Sequence, residues 1–116
     1  MSGDYSVIIS DAISQVSEVR FYDETLEHVA EQHPELRIIL ASIRAASENV
    51  AANPTRVHAS TTRPDRGFVF VSENTTYKGN WLHVPVLVVD ERSARWVTSY
   101  FSDDASPGPL VWSAGS

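Results

Sequence analysis

Histidine is the side chain in this sequence best suited to moving protons near neutral pH, because its unperturbed pKa is ~6.5. His28 lies two positions after the apolar Leu26, within a segment that has helical spacing. We therefore expect His28 at the margin of a buried helical stripe, where a helix meets a sheet. Two interpretations remain open for it: a general acid or base, and a partly buried histidine bonded to a backbone carbonyl.

The four histidines of the sequence do not predict a metal site. His28 and His33 are five residues apart and Pro34 follows, whereas two zinc ligands on one helix face are four apart. His58 and His83 lie in separate strand-like segments. The sequence has no cysteine and no glycine-rich phosphate loop. A Ser-His-Asp triad stays open because its members can be distant in sequence, although no nucleophile elbow is visible.

A second candidate group lies in the last predicted strand, over residues 95–101. Trp96, Thr98 and Tyr100 alternate there, so a regular strand would present all three on one face. Such a face could stack a nucleobase and hydrogen-bond a phosphate or ribose. Because these three residue types all favour sheets, the pattern is also typical of an ordinary strand.

Three further residues could supply positive charge to a phosphoryl transition state. Arg56 and His58 alternate on another predicted strand, and Lys78 precedes the strand that begins at Trp81. We treat these residues and Trp96 as candidate substrate-binding groups.

The elements that must position these residues change character near residue 54. Asp23 is a candidate N-cap of a first helix that should end before Pro34. Apolar residues from Leu36 to Val50 have the spacing of a second helix. Strand-like segments follow, and these predict an α+β fold, with two N-terminal helices packed on an antiparallel sheet of about four strands. The strand-like segments are residues 56–60, 68–71, 81–89 and 95–101, with a short strand also expected at 19–22.

Three features of this outline are testable in detail. Pro85 falls inside a predicted central strand and requires a bulge or a locally unpaired amide. The polar residues 74–80 predict a hairpin loop. We expect a single domain over residues 1–116, with a core at 19–102 and peripheral arms at 1–12 and 103–116, of which 7–9 could be an edge strand and 110–112 could dock.

Charge is unevenly distributed along the 116 residues, which carry a formal net charge of −6. Residues 1–53 contain three basic and nine acidic residues, whereas residues 54–102 contain six basic and four acidic ones. The longest apolar run, Val84 to Val89, is far shorter than the ~20 residues of a membrane helix. The N-terminus also lacks the pattern of a signal peptide. We therefore expect a soluble, cytoplasmic domain that does not associate with membranes.

Four segments together suggest a family. They are LEHVAEQHPEL at Leu26–Leu36, NPTRV at Asn53–Val57, LHVPVLVVD at Leu82–Asp90 and VTSYF at Val97–Phe101. In this order they resemble the phage- and mobile-element-associated domains of the barnase–EndoU–colicin–RelE-like nuclease superfamily. The resemblance covers residues 19–102.

The resemblance implies a bacterial, metal-independent ribonuclease that binds RNA on the sheet face away from the helices. His28 takes the place of the family's helix histidine, and His33 that of the histidine before proline. Thr98 and Tyr100 take the closing-strand positions. The implied reaction is attack of a ribose 2′-hydroxyl on the adjacent phosphate, with a histidine as general acid or base. The resemblance therefore implies no metal and no cofactor.

Three functions therefore remain open. The first is a ribonuclease, as a toxin or a phage-associated nuclease. The second is a catalytically inactive interaction protein, such as an immunity, antitoxin or phage accessory protein. It is favoured by Phe68–Val71, where the family commonly has a basic or tyrosine-rich strand, and by the acidic residues 1–53, which suit a cationic partner. The third is an oligomeric domain, such as a homodimer, whose strand edges pair and whose tryptophans anchor an interface.

Overall fold

A computed structural model of the chain describes residues 4–103 and 108–114. These residues form two α-helices, one 3₁₀ segment and eight strands. In chain order they are β1 (Tyr5–Ile9), β2 (Glu18–Tyr22), α1 (Asp23–Gln32), the 3₁₀ segment (Pro34–Ile39), α2 (Leu40–Ala52), β3 (Arg56–Ala59), β4 (Gly67–Tyr77), β5 (Asn80–Asp90), β6 (Ser93–Trp96), β7 (Tyr100–Ser102) and β8 (Leu110–Ser113).

The strands form one mixed sheet in the order β1-β2-β6-β5-β4-β3-β8, with β7 also paired to β5. Within the described residues, β2 and β6 run parallel and the other pairs run antiparallel. The predicted α+β class is confirmed. The finer prediction needs correction, because two strands precede α1, the sheet is mixed, and it has eight strands instead of about four. The additional strands include the short edge strands β1, which pairs with the adjacent β2, and β8, which pairs with the distant β3.

The hydrophobic core lies between α2 and one face of the sheet, which we call the helix-side face. Aromatic and branched side chains of β4 and β5 alternate onto this face and are buried with Ile43 and Val50 of α2. The strand residues are Phe68, Phe70, Leu82, Val84 and Val86. The register places the intervening residues on the opposite face, including Val71 and His83, which are also buried. Both the odd and the even positions of the β4–β5 hairpin are apolar because the hairpin is buried on both of its faces.

The second helix begins later than its apolar spacing predicts. Residues Pro34–Ile39 form the 3₁₀ segment, and α2 starts at Leu40. His33 closes α1 with its backbone N–H donating to the carbonyl of Val29 (2.8 Å). Proline disfavours helical geometry at the residue before it, which explains why α1 ends here.

The hairpin between β4 and β5 is longer than predicted. Residues 74–77 belong to β4, and the turn is reduced to Lys78 and Gly79, whose φ angles are 53° and 82°. Left-handed backbone at both central positions fits the twist of a two-residue hairpin turn. The prediction of a loop over 74–80 was therefore wrong in its extent, because Thr76 and Tyr77 pair with Trp81 and Asn80 after a register shift that follows Ser72.

Pro85 lies at a break in the strand pairing, as its missing backbone N–H requires. Strands β6 and β7 both pair with β5, and residues 97–99 separate them. At this break the backbone N–H of Val97 donates to the carbonyl of Pro85 (3.0 Å). Pro85 has no backbone N–H and cannot donate a hydrogen bond back to Val97. The pairing of β5 with β6 and β7 is therefore interrupted at the position where that hydrogen bond would be missing.

The C-terminal segment adds the far edge of the sheet. β8 pairs antiparallel with β3, and Trp112 packs against the core. Part of the predicted C-terminal arm, residues 104–107 and 115–116, lies outside the described residues, as do residues 1–3 of the N-terminal arm. No helix in the described part of the chain is long and apolar enough to cross a membrane.

Candidate functional site

A cleft of about 450 Å³ lies between α1 and the sheet, and we call it the α1 cleft. Its lining includes Glu24 and His28, which are four residues apart on α1 and therefore project on the same side of the helix. Both side chains are exposed. The predicted placement of His28, at the margin where a helix meets the sheet, agrees with this position. The rest of the lining is Thr25, Leu87, Arg95, Trp96 and Val97.

The sheet contributes a guanidinium to the same cleft. Arg95 of β6 forms an ion pair with Glu24 at 3.5 Å. The pairing follows from topology, since β6 lies parallel to β2 with Arg95 opposite Arg20, and α1 continues directly from β2. The α1 cleft therefore combines a carboxylate, an imidazole and a guanidinium, groups that can accept a proton, donate one and neutralise a phosphate.

A second cleft of about 250 Å³ adjoins the first, and we call it the Arg63 cleft. The two clefts share Leu87 and Val97 as lining residues. Arg63 forms no ion pair with any carboxylate in residues 4–103 and 108–114. The hydroxyl-bearing residues Ser60 and Thr62 also line this cleft. Together the clefts form a path with His28 toward one end and an unpaired cation toward the other.

The predicted catalytic residues His33 and Tyr100 are brought together in a column of rings. The His33 and Tyr100 ring centroids are 6.1 Å apart, and His83 stacks on Tyr100 at 5.1 Å. His83 is buried, and its Nδ1 is 3.0 Å from the carbonyl of Trp81. His33 also lies 3.4 Å from Glu35. The column joins the C-terminal end of α1 to β7 and β5.

Trp96, Thr98 and Tyr100 do not share a face as predicted. Trp96 lies opposite Val86 and is fully buried on the helix-side face, whereas Tyr100 lies opposite His83 on the other face. Tyr100 is four positions after Trp96 in the chain, but their partners on β5, His83 and Val86, are only three positions apart. This one-residue excess at 97–99 reverses the alternation.

Thr98 lies in that irregular segment and links it to the core. Its carbonyl accepts a hydrogen bond from the Trp96 indole (2.8 Å). Its own hydroxyl is buried and has no hydrogen-bond partner among the described residues. Trp96, predicted to bind substrate, therefore has its indole committed to the core.

Arg56 and His58 share the face opposite the helices, as their spacing predicts, since they pair with Val71 and Val69. Arg56 forms an ion pair with Glu73 and lies 4.9 Å from the Trp81 ring centroid. His58 is buried, with Nδ1 2.9 Å from the carbonyl of Gly108. Neither residue lines the α1 cleft.

Lys78, the remaining predicted binding residue, lies at the tip of the β4–β5 hairpin. Its ammonium is 5.4 Å from the Tyr77 ring centroid. It lines a separate cleft with Glu35 and Asn80. Of the residues predicted from sequence to be catalytic or substrate-binding, His28 and Trp96 line the α1 cleft.

Sequence reasoning missed three charged residues of the paired clefts: Glu24, Arg95 and Arg63. The four-residue spacing of Glu24 and His28 is a signal that identifies the carboxylate. Arg95 carries no local signal, because its approach to Glu24 depends on the parallel pairing of β2 with β6. Arg63 belongs to a turn cluster, and only the tertiary fold places it beside Val97.

Neither a family model, nor a curated protein, nor a solved structure matches this chain. Among the described residues, no group of three or more histidine, cysteine, aspartate and glutamate side chains could hold a metal ion.

Proposed function

We propose that the protein is a metal-independent ribonuclease with its reaction centre in the α1 cleft. The observation that carries the proposal is the convergence of Glu24, His28 and Arg95 on one cleft. The resemblance of Leu26–Leu36 to the nuclease superfamily supports the same assignment of His28. RNA is its own nucleophile in this chemistry, so the protein needs only to move two protons and stabilise charge.

In the proposed reaction the Glu24 carboxylate accepts the proton of a ribose 2′-hydroxyl. The 2′-oxygen then forms a bond to the adjacent phosphorus while the bond from phosphorus to the 5′-oxygen breaks. Protonated His28 donates its proton to that leaving oxygen, and Arg95 neutralises the charge on the phosphoryl oxygens. The products are a 2′,3′-cyclic phosphate and a 5′-hydroxyl.

The neighbouring Arg63 cleft suits the strand that flanks the scissile phosphate. Arg63 is available for a phosphate, and Ser60 and Thr62 offer hydroxyls to sugar or phosphate oxygens. His33 and Tyr100 enter the proposal as positioning residues, because their stacking holds the end of the helix that carries His28. Val97 links the two clefts, which gives the irregular segment 97–99 a part in shaping the path.

The test is cleavage of a labelled RNA with single-stranded and paired regions, in EDTA, by wild type and by His28→Ala. Gln32→Ala is the matched control, since Gln32 is exposed on the same helix and lines neither of the two clefts. We expect wild type and Gln32→Ala to cut with a cyclic phosphate product. His28→Ala should lose about 10²–10⁴-fold in rate, the range of one general acid. Equal cutting by His28→Ala would overturn the assignment.

A protein-binding role is the second candidate, and the β1 edge favours it. Val7 and Ile9 are 45% and 70% exposed on the edge strand, and the acidic Asp4 and Asp11 flank that strand. Apolar side chains on an open edge with negative flanks suit an extended cationic segment. Wild type that cuts no RNA in the same assay would favour this role over the ribonuclease.

A further inference from the structure

Two tyrosines and two arginines contact one another in a row of side chains, which we call the Tyr–Arg ladder. The Tyr5 and Tyr22 ring centroids are 4.8 Å apart, with ring planes inclined at 50°. The Arg20 guanidinium lies 5.4 Å from the Tyr5 centroid, and that of Arg95 lies 5.0 Å from the Tyr22 centroid. Guanidinium groups over aromatic faces at this range make cation–π contacts.

The strand register explains why these four side chains meet. Tyr5 pairs with Tyr22 across β1 and β2, and Arg20 pairs with Arg95 across β2 and β6. Alternation along β2 places Arg20 and Tyr22 on the same face. The row therefore crosses three neighbouring strands and ends at Arg95, which also lines the α1 cleft.

We propose that the Tyr–Arg ladder is a subsite for single-stranded RNA, where one nucleobase stacks on Tyr5 and the following phosphate binds Arg20. This inference rests on the proposed ribonuclease function, because it extends the substrate path beyond the α1 cleft. Tyr5 is 45% exposed, so its ring is accessible from solvent. Aromatic rings beside cations are the means by which proteins hold unpaired strands without reading their sequence.

Each arginine of the ladder is paired with a carboxylate, so a phosphate ligand has to compete with these side chains. Arg20 contacts Glu18 at 3.1 Å, and Arg95 contacts Glu24 at 3.5 Å. Hydrogen bonding to Tyr22, and secondly to Glu18, raises the pKa of Arg20. The Arg20–Glu18 pair is only half-buried, so a phosphate can compete with Glu18 for the guanidinium. Glu18 then acts as a competitor of the ligand.

The experiment measures binding of a fluorescein-labelled, eight-nucleotide 2′-O-methyl RNA by anisotropy, since this probe lacks the attacking hydroxyl. We expect Tyr5→Ala to raise Kd about tenfold, a typical loss of one stacked base, and Tyr5→Phe to retain binding. Tyr77→Ala is the matched control, because Tyr77 is 38% exposed on a different hairpin. Glu18→Gln should lower Kd at least about twofold, because it removes the competing carboxylate.

The outcomes separate this inference from the proposed function. If wild type cleaves RNA but Tyr5→Ala binds the probe as tightly as wild type, the ladder is not a subsite and the ribonuclease proposal stands. Tighter binding of the same sequence as a duplex would overturn the single-strand assignment. If wild type neither cleaves RNA nor binds the probe, the ribonuclease proposal fails and the subsite fails with it. A thermal melt of each variant identifies any loss that comes from unfolding.

Discussion

The buried polar side chains at the centre of the molecule form a short chain of hydrogen bonds. The Trp96 indole N–H lies 2.9 Å from the Ser99 hydroxyl, and the Ser99 and Ser47 hydroxyls are 2.7 Å apart. Both serines are fully buried. Because Ser47 belongs to α2 and Ser99 to the segment 97–99, this chain anchors the irregular segment to the helix. Val97, which both clefts share, belongs to that segment.

Replacing Ser47 with alanine tests this anchor at the scale of one residue. The substitution removes one buried hydrogen bond and leaves the Ser99 hydroxyl without that partner. We expect the free energy of unfolding to fall by about 1–2 kcal/mol. Ser42→Ala, an exposed position on the same helix, should change it by less than about 0.5 kcal/mol. Urea denaturation measures both, and equal values for the two variants would contradict the anchoring role.

Among the secondary-structure elements, the junction of β2 with α1 has a defined attachment to α2. Arg44 of α2 donates to Asp23 at the start of α1 (2.5 Å) and to the carbonyl of Phe21 in β2 (2.7 Å). It also lies 3.7 Å from Glu48, one turn further along α2. One guanidinium therefore fixes three elements, including the helix that carries Glu24 and His28. A planar group with several donors is suited to this task.

Substitutions of Arg44 test whether its several simultaneous hydrogen bonds are required for the stability of the fold. We expect Arg44→Met to lower the free energy of unfolding by about 1.5–3 kcal/mol, as for loss of hydrogen bonds to a charged group. Arg44→Lys should recover only part of this loss, because an ammonium cannot reproduce the planar fork. Chemical denaturation provides the measurement, with Arg37→Lys as the control, since Arg37 is exposed in the 3₁₀ segment. Full recovery by lysine would show that charge alone suffices.

For the molecule as a whole, the proposed RNA path uses few cations on an acidic protein. The formal net charge is −6, and the proposed phosphate contacts are Arg20, Arg63 and Arg95. Single-stranded RNA binding loses affinity with salt in proportion to the number of phosphates neutralised. A protein of this kind should therefore bind RNA with a shallow dependence on ionic strength and rely more on stacking.

Salt titration of the 2′-O-methyl probe measures that dependence. Three phosphate contacts predict a slope of about −2 for the logarithm of the binding constant against the logarithm of salt concentration. Arg63→Ala should make the slope shallower by about 0.7. Arg37→Ala, a cation that lines a different cleft, should leave the slope unchanged. A wild-type slope steeper than about −4 would mean that other basic residues carry the binding.

Much of the local structure follows from the order of residues along the chain. The apolar spacing of α1 and α2, the break at Pro34 and the strand character of 56–60, 68–71 and 81–89 are short-range properties. They depend on which side chains alternate or recur every three to four residues, and a sequence displays these periods directly. The shared face of Arg56 and His58 and the irregularity beside Pro85 follow from the same local rules.

The tertiary structure alone decided which distant residues meet. The sequence allows an edge strand at 7–9 and docking of 110–112, but only the open edges of β2 and β3 determine where β1 and β8 pair. Only the parallel contact of β2 with β6 brings Arg95 to Glu24 and to Tyr22. One extra residue at 97–99 sends Tyr100 to the face opposite Trp96. Sequence specifies the period within each element, whereas strand order and register depend on packing between elements, and those relations determine which residues form a site.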